Sequence, residues 1–111
     1  MKIFENNFLT PDFCFAINLF GMMFVKKGDR NLVTEQEIRH EKIHTEQMKE
    51  LLYFPFYIWY LVEWGIKIVK YGDVRVAYYN ISFEKEAYKN DWCLDYLEKR
   101  KRYNWINLLK K

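Results

Sequence analysis

"TEQEIRHEKIHTEQMKELL", residues 34–52, sets the reading of the whole chain. Thr34 and Glu37 stand in the Thr-x-x-Glu order of a capping box, where a hydroxyl and a carboxylate satisfy backbone N–H groups at a helix start. A helix is therefore expected from Thr34 toward Leu52. It carries His40, Glu41 and His44, and the chain's 2 histidines are both among them. Residues four apart on a helix differ in direction by roughly 40°, so both imidazoles can reach one ion. Glu41 follows the first histidine directly and flanks that ion without ligating it. A carboxylate so placed can act as general base toward a water that zinc has acidified.

The remainder of the chain has to fold around that helix. Its 111 residues are 50% hydrophobic and 20% aromatic, enough for a dense aromatic core in one domain spanning residues 1–111. A net charge of +3, from 18 basic and 15 acidic residues, is too balanced to make nucleic acid a main partner. Cys14 and Cys93 lie far apart with no CxxC spacing, and are expected as buried thiols. The segment "MKIFENNFLTPDF" lacks the apolar run and small-residue cleavage site of a secretory signal, so a cytoplasmic location is expected.

Upstream of the histidine helix, "FCFAINLFGMMFVK", residues 13–26, reads as one or two strands with a turn near Gly21. Downstream, "LLYFPFYIWYLVEWGIKIV", residues 51–69, approaches the length of about 20 residues that a membrane span needs. Glu63 inside it, Pro55 near its start and Tyr and Trp scattered throughout argue instead for a helix buried against the histidine helix. Peripheral contact with a membrane, through residues 51–69 and the basic C-terminus, is the lesser reading. "YGDVRVAYYN", residues 71–80, reads as a turn and an irregular link. A last helix is expected from a cap at Asn80 or Ser82 through "FEKEAYKNDWCLDYLEKRKRY". Its basic run, Lys99 to Arg102, reads as a solvated helix end.

Two histidines leave a metal site short of a ligand. Glu50, six residues past His44, is swung roughly 240° off the metal face and is expected as a solvent-facing acid. The segment "NISFEKEAY", residues 80–88, offers Glu84 and Glu86. These differ by roughly 200° in direction, so only one can face the ion.

From His40 to Tyr88 this pattern resembles the gluzincin-like metallopeptidases, which carry His-Glu-x-x-His and a glutamate on a downstream helix, and particularly their smallest stand-alone members, the minigluzincins. The resemblance implies that His40, His44 and Glu84 ligate zinc, with Glu84 favoured over Glu86 by the family register, and that Glu41 is the catalytic base. It implies an α+β, mainly helical, minimal zincin-like domain with a small N-terminal strand or hairpin, an active-site helix and two further helices. The implied activity is hydrolysis of a peptide or protein substrate. Tyr88 stands where the family often has an aspartate bonded to the first histidine. With no further histidine available, Tyr78, Tyr79 or Tyr88 would have to stabilise the tetrahedral intermediate. "NLFGMMFVK" would be the edge strand that pairs with an extended substrate. The alternative reading is a small zinc-binding structural or interaction protein without a usable cleft, since a chain this short has little mass to spare for substrate walls.

Overall fold

The computed structural model describes residues 3–5, 16–26, 28 and 30–109. Cys14 and the expected strand residues Phe13 to Phe15 lie outside these. The fold is α+β and mainly helical. Strands β1 (Ile3–Glu5), β2 (Ala16–Leu19) and β3 (Met22–Val25) form a sheet in the order β1-β3-β2. β1 runs parallel to β3 and β2 antiparallel to it. The expected hairpin is β2–β3, closed by Phe20 and Gly21 at φ 53° and 89°. Two successive positive φ angles match the right-handed twist of the flanking strands. Asn18 fastens the hairpin to the histidine helix: its Nδ2 donates to the Glu41 carbonyl at 2.7 Å and to Thr45 Oγ1 at 2.9 Å.

Five helices follow: α1 (Glu35–Glu50), α2 (Phe54–Tyr71), α3 (Val74–Tyr79), α4 (Ser82–Asn90) and α5 (Tyr96–Lys99), with single turns at Arg30–Leu32 and Asn104–Leu108. α1 starts where the capping box places it, with Thr34 Oγ1 accepting from the Glu37 N–H at 3.2 Å. It ends in a sharp reversal in which Leu52 and Tyr53 adopt φ 60° and 67°. Pro55 then falls in the first turn of α2, where its missing N–H costs nothing. Met48, Phe56, Tyr78, Ile81, Phe83 and Trp105 make the main core, and Ile43, Ala87 and Tyr96 a smaller one between α1 and α4.

Several expectations require correction. α2 is not a buried helix: it buries Phe56, Glu63 and Lys67, while Ile58, Leu61, Val62, Ile66 and Val69 are exposed. At 100° per residue Ile58, Leu61, Val62, Ile66 and Val69 fall on one side, and Phe56, Tyr57, Tyr60 and Trp64 on the other. The interior takes the aromatics, because Phe56 and Tyr60 complete the ring cluster around Phe83. It takes Glu63 because α4 has no cap of its own. Ile81 occupies the N-cap position without a side-chain bond, and Glu63 reaches across to accept from the Ser82 N–H and Oγ, each at 2.6 Å. The link before α4 contains the short helix α3, whose first N–H groups bond to Asp73 at 2.8 and 2.9 Å. The helix expected to run through the basic segment is broken: α4 stops at Asn90 and α5 is a separate turn over Tyr96–Lys99. There Arg100 is not solvated: its side chain is 5% exposed and forms a two-pronged pair with Glu50, both bonds at 2.9 Å. Glu50 is thus a buried ion-pair partner and not a solvent-facing acid. Cys93 is half-buried and bonds to Asp95. Among the described residues, no helix is long and apolar enough to cross a membrane.

Replacing Glu63 by alanine strands the Ser82 N–H and hydroxyl in the interior. The expected loss is about 2–3 kcal/mol of stability, seen as a lower urea midpoint at unchanged slope. A midpoint within error of wild type would show that α4 needs no cap from α2.

Candidate metal centre

Helix α1 sets His40 and His44 one turn apart on the face toward α4, and α4 brings Glu84 opposite them. All three are buried, at 7%, 4% and 3% exposure. His40 Nε2 lies 3.2 Å from His44 Nε2, and Glu84 Oε1 lies 3.2 and 3.1 Å from the two nitrogens. Among the described residues these form a group close enough to hold a metal ion. Ligands at the usual imidazole and carboxylate bond lengths around a tetrahedral ion stand about 3.3 Å from one another. The observed triangle has that size.

The outward nitrogens show which atoms are left to bind. His40 Nδ1 meets Asp91 Oδ2 at 3.0 Å. His44 Nδ1 meets Gln47 Oε1 at 2.7 Å. The Gln47 amide has a defined orientation, since its Nε2 donates to the Phe83 carbonyl and to Glu86 Oε1, each at 3.0 Å. Both Nδ1 atoms therefore act as N–H donors, and both Nε2 lone pairs converge on Glu84. Tyr60 donates to the other oxygen of Glu84 at 2.8 Å, which leaves Oε1 aimed between the histidines. This donor set of two imidazoles and a carboxylate suits a borderline divalent ion and would be self-repelling without a cation.

In the metal-free chain the cation is a proton. Burial works against a charged His40, but its bonds to Asp91 and Glu84 outweigh burial and push it up to about 10. His44 is raised in the same way, burial opposing and Glu84 favouring its charged form. Glu84, although burial raises it, is held far below the usual carboxylate range by the two histidines. Glu41 behaves differently: burial dominates, the histidines only partly offset it, and it is pushed up to about 7.

The structure places the other expected residues as follows. Glu41 is buried beside the triad and lines a cleft of about 210 Å³ with His44 and Glu84. The far wall is strand β2 at Ile17 to Leu19, and α2 covers the top with Tyr57, Tyr60 and Trp64. Glu86 points away from the triad and is held by Arg100, Tyr96 and Gln47. Tyr78 lines the cleft. Tyr88 lays its ring on His40 at a centroid distance of 4.4 Å but makes no bond to Nδ1, which goes to Asp91. Tyr79 is exposed and touches Tyr88 and Tyr78.

Asp91, Gln47 and Tyr60 were not anticipated in these roles. Asp91 was legible in principle, since seven residues make about two turns and return to the face of Glu84. Gln47 carries a weaker signal, three residues past His44 on the same helix. Nothing in the sequence joins Tyr60 to Glu84. Comparison with family models, with curated proteins and with solved structures finds no match.

The raised His40 value has a sign that can be tested in chelator-treated protein. Its folded value of about 10 lies above the ordinary 6.5, so its contribution is fully present below pH 6.5 and drains away as pH rises toward 10. The metal-free protein is expected to have its urea midpoint fall over that window. Asp91→Asn, which removes the carboxylate facing Nδ1, should flatten the fall. Equal slopes in wild type and variant would show that Asp91 does not hold the ring's charge.

Proposed function

We propose that the protein is a zinc-dependent hydrolase that cleaves peptide bonds, with His40, His44 and Glu84 as ligands and Glu41 as general base. The observation that carries this reading is the convergence of His40 Nε2, His44 Nε2 and Glu84 Oε1 within 3.2 Å of one another beside a cleft lined by His44, Glu84 and Glu41. The resemblance to small gluzincins fits the same residues. His40, His44 and Glu84 would hold the zinc, which when bound would supply a Lewis acid that brings water close to neutral acidity.

The chain's own groups divide the remaining work. Asp91 and Gln47 keep the imidazoles turned so that Nε2 faces inward. Tyr60 pins Glu84. Glu41 is a buried carboxylate beside the triad, placed to take a proton and return it to the leaving amine. Aromatic walls around it exclude bulk water and strengthen each electrostatic contact. Among the described residues β2 is an edge strand of the sheet beside the cleft, a place for an extended peptide to add main-chain bonds. The Tyr57 hydroxyl already holds the turn end of that edge, accepting from the Phe20 N–H at 2.8 Å and donating to the Asn18 carbonyl at 3.3 Å. Pairing is therefore confined to the Ala16 end, which suits a short contact with substrate.

Glu41→Gln preserves shape and removes the base. It is expected to lower kcat/KM on quenched-fluorescent peptides about 10²–10⁴-fold, with zinc content and thermal stability as in wild type. Wild-type protein that holds zinc yet cleaves no member of a diverse peptide set, or cleaves it equally well as Glu41→Gln, would replace the hydrolase with a structural zinc protein.

A further inference from the structure

Glu86 is fully buried, at 0% exposure, yet it does not line the cleft. The groups that meet its carboxylate are donors. Arg100 Nε and Nη2 approach its two oxygens at 2.5 and 3.0 Å, Tyr96 donates at 2.7 Å, and Gln47 Nε2 donates at 3.0 Å. These donors are themselves committed. Arg100 also grips Glu50 through Nη1 and Nη2, each at 2.9 Å. The Tyr96 hydroxyl accepts from Asn104 Nδ2 at 2.7 Å, which turns its own proton toward Glu86. A carboxylate held by donors on both oxygens presents only lone pairs to Gln47.

Gln47, also at 0% exposure, lies between Glu86 and His44. Its amide can be placed in two ways, and the two have opposite effects on the ring. With Nε2 bonded to Glu86 Oε1 and to the Phe83 carbonyl, Oε1 faces His44 Nδ1 at 2.7 Å and accepts its proton. The other ring nitrogen, Nε2, then turns its lone pair toward His40 and Glu84. Turned over, the amide would set its NH2 group against Nδ1 and its oxygen against two further oxygens. A neutral His44 would then carry its proton on Nε2, the nitrogen that a metal needs.

We propose that Glu86 is a positioning residue of the metal centre: fixed by Arg100 and Tyr96, it sets the Gln47 amide and, through that amide, the His44 tautomer that can ligate a metal ion. The inference rests on His40, His44 and Glu84 being the ligands. It gives the second glutamate of "FEKEAY" a part in metal binding other than ligation. It also makes metal affinity depend on a segment, Tyr96 to Asn104, that lies outside the cleft.

The test is zinc affinity, measured by titration against a competing dye, in a double-mutant cycle. Glu86→Gln puts an N–H where one oxygen accepts, and Gln47→Met keeps the side chain's length without its amide. Each should raise the zinc Kd about 10–100-fold, with the circular-dichroism spectrum of wild type. Because Glu86 acts through Gln47, the double variant should lose no more than the larger single loss. A glutamate that only stabilises the fold, or that ligates the ion, would instead multiply the loss of Gln47→Met by its own. In isotope-labelled wild type loaded with NMR-active cadmium, His44 should couple to the metal through Nε2 and hold a slowly exchanging proton on Nδ1. This signature needs no variant, so a misfolded mutant would not rescue the idea. Three results overturn the proposal: Glu86→Gln that binds zinc as tightly as wild type, a double variant whose loss is the product of the two single losses, or His44 bound through Nδ1. Each of these leaves the metal centre standing, whereas wild type that takes up neither zinc nor cadmium overturns both.

Discussion

Two imidazole nitrogens and a carboxylate oxygen, buried and about 3.2 Å apart, cannot share that space without positive charge between them. Most of the polar architecture serves to keep them there. His44 is fixed by Gln47, Gln47 by Glu86, and Glu86 by Arg100, which also grips Glu50 at the far end of α1. His40 is fixed by Asp91, and the Asp91 carbonyl is in turn held by Arg39 at 2.6 Å. The bonds Gln47–Glu86, Arg100–Glu50, His40–Asp91 and Arg39–Asp91 commit α4 and the following chain to α1. Removing the cation from the centre would leave the network intact but pointed at nothing, and protons on the histidines take its place.

A division of labour across α2 follows. One side closes the cleft and pins Glu84 through Tyr60, and Glu63 on the same helix starts α4. A helix recruited for its aromatic and acidic residues must turn its aliphatic residues the other way. The exposed stripe is therefore a consequence of what the metal centre needs inward.

What could be read beforehand depended on distance along the chain. The start of α1, the proximity of His40 and His44, and the impossibility of Glu84 and Glu86 facing one ion all follow from helical geometry within a few residues. The turn at Gly21 is legible for a similar local reason. The facing of α2 was not, because average hydrophobicity says that Leu51 to Val69 is apolar, whereas its rotation is decided by Ser82 and Phe83 on another helix. Arg100 looked like part of a solvated basic run because its partners, Glu50 and Glu86, are remote in sequence. Tyr60 was invisible for the same reason, and Tyr88 drew attention away from Asp91 one turn further on.

Metal uptake tests the triangle of His40, His44 and Glu84 most directly. Untagged protein, stripped with chelator and titrated with zinc against a competing dye, should bind about one ion per chain with high affinity. Glu84→Ala, folded by circular dichroism, should bind it far more weakly. Wild type that takes up no zinc, or Glu84→Ala that binds as tightly as wild type, would contradict the assignment and return His40 and His44 to an ordinary hydrogen-bonded helix face.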